Sequence, residues 1–372
     1  MLIAIDASRA TSPYRTGTEG YSLQIIRALA AQGQQHRFHL YFRDAPPEGL
    51  LPVGENIEYR IIGRRRLWTH TALGPAVRRD RPDVLFVPAH VIPWPGVGSV
   101  PSVVTIHDLG YLRYPDSHPF LSRLYLDGST RHSTRVARRV IAISQATADD
   151  LAKLNGVPRQ KIRVVYFGLG DAAARENRPS PKEVCARLGI PGPYILHIGS
   201  LHPRKNLARL IDAFALVRDV LDNLSLILAG RPGWGYEQLL EKIAALGLEK
   251  RVILPGYISD ADRAALYEGA QVFAFPSLYE GFGFPVLEAM MHAVPVVCSN
   301  TSSLPEIVDD AALTVNPLDV EGLASALSRL LIEKDLRRDL VKRGFQRIKL
   351  FSWEACARAT LEVLAEAACA RD

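Results

Sequence analysis

Glu280 and Glu288 stand eight residues apart in the string PSLYEGFGFPVLEAM, with Gly281, Gly283 and Pro285 between them. An apolar run, VFAFP, leads into this glycine loop, and an amphipathic stretch follows it. Glycine lets a ligand approach the backbone closely, and proline suits the first turn of a helix, where its missing N–H costs nothing. The start of a helix offers free N–H groups to an anion. Two carboxylates beside such a loop can accept hydrogen bonds from sugar and ribose hydroxyls. The plainer reading is a strand–turn–helix with solvated glutamates, but the whole string favours a ligand loop.

Arg204 and Lys205 form a second group, in HIGSLHPRKNLARLIDAF. Two cations just before a helix are electrostatically unfavourable unless an anion joins them. Arginine offers a bidentate fork and lysine a point charge, a combination suited to a diphosphate. A basic surface turn is the alternative.

The elements that must position these groups are short apolar runs alternating with amphipathic stretches. The first half reads LIAID, YSLQIIRALAAQ, FHLYF, IEYRII, a helix over 67–79, DVLFVP, SVVTIHD, a helix over 120–137, VIAIS, a helix from 146, and IRVVYF. Runs of this kind without polar alternation predict parallel strands buried on both faces, joined by crossover helices. From Gly168 to Pro193 the pattern breaks, with Pro179, Pro181, Pro191 and Pro193, and this segment reads as an interdomain linker. Alternation then resumes from YILHIGS to PVVCS, and helical stretches over 320–349 and 353–368 follow. The expected class is α/β, with two doubly wound domains and a ligand cleft between them.

These motifs and the order of elements resemble the retaining glycosyltransferases of the GT-B fold, the large family that includes bacterial α-mannosyltransferases and sucrose and glycogen synthases. The E-x7-E string Glu280–Glu288 and the P-R-K-N run Pro203–Asn206 carry the resemblance, which covers nearly the whole chain. It implies two Rossmann-like domains facing a cleft: residues 1–170 for the acceptor, residues 190–350 for the donor, and a helix over 352–372 crossing back to the first domain. It also implies that Arg204 and Lys205 bind the diphosphate of a nucleotide sugar. Glu280 would contact the transferred sugar, the amides of Phe282 and Gly283 its hydroxyls, and Glu288 the ribose. Tyr257, which closes RVILPGY, is counted in the same donor site. TGTEG, with Gly17 and Gly20, looks like the family's glycine loop near the donor phosphates and acceptor; a plain strand–helix turn is its alternative. His107, at the end of SVVTIHD and before Asp108, is expected at the donor sugar. The catalytic set is therefore His107, Arg204, Lys205 and Glu280. Where the family commonly has a small residue and glycine after the E-x7-E helix, this chain has His292-Ala293-Val294 before Pro295.

Ser144 reads as the N-cap of SQATADDL, and Asp260 with Asp262 as caps of the helix after RVILPGYI. No D-x-D motif ends a strand in the first half, and His90, His118, His197, His202 and His292 lack metal-ligand spacing. No metal is expected; the cations would stabilise the leaving diphosphate. Cys185, Cys298, Cys356 and Cys369 form no C-x-x-C pair, so neither a zinc site nor a disulfide framework is expected.

The chain has 372 residues, enough for two domains, and its 48% hydrophobic and 23% charged residues exclude general disorder. No apolar run spans a bilayer, and MLIAIDASRA lacks the basic n-region of a secretory signal, so a cytoplasmic setting is expected. Charge is uneven: residues 1–180 carry 24 Lys+Arg against 15 Asp+Glu, while the whole chain is only +6. Six arginines between Arg64 and Arg81 surround Trp68 and Leu73. Such a stretch can rest on anionic headgroups, with Trp68 and Leu73 inserting shallowly, on the inner face of a membrane. A solvated helix end is the alternative. No aromatic platform or nucleic-acid motif accompanies the charge.

The function expected is transfer of a hexose from a nucleoside-diphosphate sugar to a hydroxyl of a glycan or lipid-linked acceptor. The donor is a substrate, so no cofactor is called for. The P-R-K-N form favours GDP-mannose over UDP-glucose, by resemblance to bacterial mannosyltransferases. A nucleotide-sugar 2-epimerase of similar fold and a non-catalytic sugar-binding protein are the alternatives.

Overall fold

The computed structural model describes residues 1–12, 17–63, 66–89, 91–115, 119–170 and 178–369. The chain divides into two compact units. Unit 1 comprises Met1–Gly168 and Phe351–Asp372; unit 2 comprises Leu169–Leu350.

Unit 1 holds β1 (Leu2–Asp6), β2 (Arg37–Phe42), β3 (Ile57–Ile61), β4 (Val84–Val87), β5 (Ser102–Ile106), β6 (Arg139–Ala142) and β7 (Ile162–Val164). Their order is β3-β2-β1-β4-β5-β6-β7, and the pairings are parallel. Unit 2 holds β8 (Tyr194–Ile198), β9 (Ser225–Ala229), β10 (Val252–Gly256), β11 (Val272–Phe275), β12 (Val296–Ser299) and β13 (Leu313–Val315). Their order is β10-β9-β8-β11-β12-β13, again parallel. The apolar runs become strands because the inner ones are covered on both faces: every residue of β4, β5, β8, β9, β11 and β12 is buried. The helix Leu207–Val217 shows how the crossovers cover a sheet. Its buried residues Leu207, Leu210, Ile211, Phe214 and Val217 share one helical face. They join Ile195, Leu226 and Leu327 in the core of unit 2, where each fully buried large side chain contributes about 1.5–3 kcal/mol.

The helix Trp353–Cys369 belongs to unit 1 and packs on the helix Gly17–Gln32 and on β4, β5 and β6. Trp353 lies 6.1 Å from the ring of Tyr21, which stacks on Phe167 at 4.3 Å. Gly168 permits this closure: a Cβ there would meet the Trp353 backbone nitrogen at 2.3 Å.

Several expectations change. The segment 168–193 is not simply a linker, because Pro181–Leu188 is a helix of unit 2 with a complete capping box, Ser180 to Glu183. It packs on the helix Asp260–Gly269, where Arg187 pairs with Asp262 at 2.5 Å. That second helix is capped by Ser259 and not by Asp260 or Asp262. The stretch 320–349 is two helices, Val320–Ile332 and Lys334–Ile348, broken at Glu333. Ser144 caps Gln145–Leu154 as expected, accepting from the Thr147 amide.

The basic stretch is also different. A π-helical turn, Thr69–Leu73, runs into the helix Gly74–Asp80. Trp68 is only 2% exposed and Leu73 is fully buried, both in the core of unit 1 with Val87 and Ile92. Burial in that core outweighs any gain from a headgroup layer, so neither residue is available to insert into one. Arg64 and Arg65 lie outside the described residues, as do Thr16, His90, His118 and the tail 370–372.

Candidate active site

In an open doubly wound sheet the crevice lies beyond the carboxyl ends of the strands, where the strand order reverses. In unit 2 that point falls between β8 and β11. β8 leads to Arg204 and Lys205, and β11 leads to Glu280. The fold thus brings the two sequence motifs to one place.

Beyond β8 the chain makes a single 3-10 turn, Pro203–Lys205, capped by His202, whose Nδ1 accepts from the Arg204 amide at 3.1 Å. Asn206 adopts a left-handed φ of 60° and starts the helix Leu207–Val217. Its Nδ2 donates to the Pro276 carbonyl at 3.1 Å and the Pro317 carbonyl at 2.6 Å, tying the loop after β8 to the loop after β11.

Lys205 Nζ donates to Glu280 Oε1 at 2.5 Å, and an Arg204 nitrogen lies 3.4 Å from Glu280 Oε2. Arg204 also donates to the Tyr279 carbonyl. Lys205 and Glu280 are buried. Burial alone raises the Glu280 pKa, but the ammonium of Lys205 and the guanidinium of Arg204 outweigh it and bring it down to about 2. Lys205 also sits 4.8 Å above the Phe275 ring. His197 stacks on the same ring at 5.5 Å, and its Nδ1–H donates to the Ala274 carbonyl at 3.0 Å. Burial lowers the His197 pKa to about 4, so the ring is neutral at pH 7.

The Glu280 loop is held from behind. The Glu280 amide donates to Ser302 Oγ at 2.9 Å; Ser303 Oγ donates to the carbonyls of Glu280 at 3.0 Å and Phe282 at 2.6 Å. Gly283 has a φ of +122°, and a Cβ there would lie 2.8 Å from Leu304 Cδ2. The helix Phe284–Met291 then begins with Pro285 in its first turn.

Glu288 differs from Glu280. It is partly exposed, accepts from the Tyr267 hydroxyl at 3.1 Å and lies 3.5 Å from an Arg263 nitrogen. Its pKa is raised by burial, against the pull of Arg263. His292, which replaces the small residue expected after this helix, stacks on Tyr267 at 5.5 Å and pairs with Glu268 at 3.3 Å. Tyr257 stands exposed beyond β10, with the Arg231 guanidinium 4.8 Å over its ring. Arg231 follows β9, whose next loop runs close to the Arg204 loop: a Cβ on Gly230 would overlap the Gly199 carbonyl oxygen at 1.8 Å.

Arg204, Lys205, Tyr257, Glu280, Phe282, Gly283 and Glu288 therefore all belong to unit 2, on or beyond strand ends β8, β10 and β11. His107, Gly17 and Gly20 belong to unit 1. His107 follows β5, is buried, bonds the Pro88 carbonyl through Nε2 at 2.9 Å and meets Tyr21 edge-on at 5.2 Å. Asp108 Oδ1 accepts from the Gly110 amide at 2.8 Å. Gly17 and Gly20 open the helix Gly17–Gln32, with open space where a Cβ would stand.

Sequence reasoning missed the supports: Ser302, Ser303, Tyr267, Arg263 and Arg231. It also missed Asp6, buried at the end of β1 and accepting from the Ser8 amide at 3.0 Å, with its pKa raised by burial. An acid closing the apolar run LIAID was the signal for Asp6. Among the described residues no three His, Cys, Asp or Glu side chains gather in a metal-binding group, and no helix is long and apolar enough to cross a membrane.

Comparison with known proteins gives the class. Residues 187–347 match the model of the glycosyl transferases group 1, and residues 15–170 that of glycosyltransferase family 4. The chain belongs to the GT-B glycosyltransferases and resembles bacterial mannosyltransferases. It is 33% identical over 386 residues to the O-antigen chain mannosyltransferase B of Escherichia coli, covering 95% of this chain and 97% of that protein. A sucrose-phosphate synthase from Thermosynechococcus elongatus superposes with a TM-score of 0.73 at 22% identity, over 98% of both chains. The Anabaena protein HepE, solved in complex with UDP-glucose, superposes with a TM-score of 0.71 at 20% identity, over 98% of this chain and 99% of that one.

Proposed function

We propose that this glycosyltransferase moves mannose from GDP-mannose, with retention at the anomeric carbon, to a hydroxyl of a glycan or lipid-linked acceptor. The observation that carries the proposal is the cluster of Arg204 with the buried pair Lys205–Glu280 at the reversal point of the unit 2 sheet. Two cations and one carboxylate leave a net positive charge there, ready for a diphosphate. On donor binding Arg204 and Lys205 face the phosphate oxygens and stabilise the leaving group without a metal. Glu280 is left to orient the sugar, and Glu288 the ribose. Retention follows if the acceptor attacks from the face the diphosphate leaves, with the leaving phosphate taking the acceptor proton. Unit 2 binds the donor and unit 1 the acceptor, with His107 at the transferred sugar. Mannose is favoured because the E. coli relative is named a mannosyltransferase. We place the reaction in the cytoplasm, at the inner face of a membrane.

A donor panel tests this reading. GDP, UDP, ADP and their sugars are compared by thermal denaturation; a ligand at 100 times its Kd adds about 2.7 kcal/mol of stability. Stabilisation by GDP and GDP-mannose is expected, and stabilisation by UDP alone overturns the donor assignment. Product formation only with an acceptor present separates transfer from 2-epimerisation.

A further inference from the structure

Two helices of unit 2 each present a pair of side chains one turn apart, and the pairs meet. Arg263 and Tyr267 stand on the helix Asp260–Gly269; Glu288 stands on the helix Phe284–Met291 and His292 is its C-cap. The Tyr267 hydroxyl donates to Glu288 Oε2 at 3.1 Å, Arg263 lies 3.5 Å from Glu288 Oε1, and the His292 ring stacks on Tyr267.

The two donors hold Glu288 unequally. Arg263 is partly exposed and is shared with Asp260, 3.3 Å away. Tyr267 is buried, and its ring is packed by Phe273 at 5.3 Å and by His292, whose plane lies within 6° of its own. His292 is tied in turn to Glu268 at 3.3 Å. The Pro285 carbonyl lies 3.4 Å from the same hydroxyl, but the Glu288 oxygen is nearer and is the better acceptor. Burial raises the Tyr267 pKa well above its ordinary value, so the hydroxyl stays a donor. A carboxylate offers lone pairs on both oxygens. Tyr267 takes one of them from the inside, and the Glu288 side chain remains 21% exposed, so the outward ones can meet a ligand.

We propose that Tyr267 is the positioning residue that lets Glu288 recognise a vicinal diol, and so separates a ribonucleotide from its 2′-deoxy form. Two adjacent hydroxyls engage both carboxylate oxygens only when the carboxylate plane is fixed; a carboxylate free to turn accepts from one. A locked rotamer supported from behind gives that precision. His292, where a small residue is expected, keeps the phenol in place. The inference rests on the proposed role of Glu288 at the ribose.

The test is calorimetric titration of the full chain with GDP, 2′-deoxy-GDP, UDP and 2′-deoxy-UDP. The wild type is expected to bind its ribonucleotide roughly 10-fold or more tightly than the deoxy form, as for one hydrogen bond to a charged group. Tyr267→Phe keeps the ring and removes only the hydroxyl, and should reduce that ratio to about 3-fold or less. In a Glu288→Gln background the same change should alter the ratio no further, because the hydroxyl acts through the carboxylate. A merely structural Tyr267 would lower stability and leave the ratio alone. His292→Ala leaves the hydroxyl but frees the ring; an intermediate ratio is expected, and this variant decides if Tyr267→Phe does not fold. A wild-type ratio in the deciding variant, with discrimination lost in Glu288→Gln, overturns the inference and leaves Glu288 at the ribose. A wild-type ratio in Glu288→Gln, or no discrimination by the wild type, overturns that placement of Glu288 and the inference with it.

Discussion

Lys205 and Glu280 form a buried ion pair across 75 residues of sequence, with Nζ and Oε1 2.5 Å apart. The pair exists because β8 and β11 lie side by side. Lys205 and Arg204 together hold the Glu280 carboxyl in its charged form.

Lys205→Ala and Arg204→Ala are expected to weaken GDP binding by about 2–4 kcal/mol each and guanosine binding far less. Calorimetric titration of both ligands measures the difference. Equal losses for GDP and guanosine would remove the two cations from the phosphate site.

Glu280→Gln should lower kcat more than it lowers nucleotide affinity, because its proposed partner is the sugar. Steady-state kinetics alongside GDP titration separate the two. A variant with wild-type kcat excludes Glu280 from the sugar site.

Under the proposed mechanism activity should persist in excess EDTA, with Arg204 and Lys205 in the place of a metal at the leaving diphosphate. Complete loss reversed by added Mg²⁺ or Mn²⁺ would contradict this.

Acid should destabilise the protein in two windows. His197 titrates near 4 when folded and near 6.5 when unfolded. Between those values the unfolded chain binds more protons, so stability is full above pH 6.5 and falls on acidification to about pH 4, by an amount on the order of 3 kcal/mol. Glu280, at about 2 when folded against 4.5 when unfolded, adds a loss below pH 4.5. Urea denaturation at pH 7 and pH 5 should show the first window in wild type and not in His197→Asn, which keeps a donor for the Ala274 carbonyl. The same loss in both proteins would assign that window to other groups.

Trp68→Ala should cost about 3–5 kcal/mol, as for a large core side chain. A denaturation midpoint within error of wild type would return Trp68 to the surface.

Much of this arrangement is legible in the sequence for a physical reason. A parallel strand covered on both faces carries no polar alternation, so YILHI and VFAF stand out, and Pro285 marks the next helix. The adjacency of β8 and β11 is not local information. The strand next to β8 in sequence is β9, and only the completed sheet brings Lys205 to Glu280. The supports Ser302 and Ser303 are invisible for the same reason: a serine in a polar loop has no signature until its acceptor is placed. Ser180-x-x-Glu183 was readable as a capping box, but the surrounding prolines suggest a break, although Pro181 occupies a position where proline starts a helix. Trp68 is ambiguous in principle, since an aromatic beside arginines fits both a core and a membrane edge.

The helix Trp353–Cys369 completes unit 1 but is synthesised after the whole of unit 2. On the ribosome, therefore, the first unit to begin is the last to finish. Its Tyr21–Phe167 aromatic layer waits for Trp353 while 182 intervening residues, Leu169–Leu350, are made and can fold. A fragment ending at Gly168 would leave that layer open to water, so dividing the protein into separately expressed halves requires the C-terminal helix to be supplied to the first half, fused or in trans.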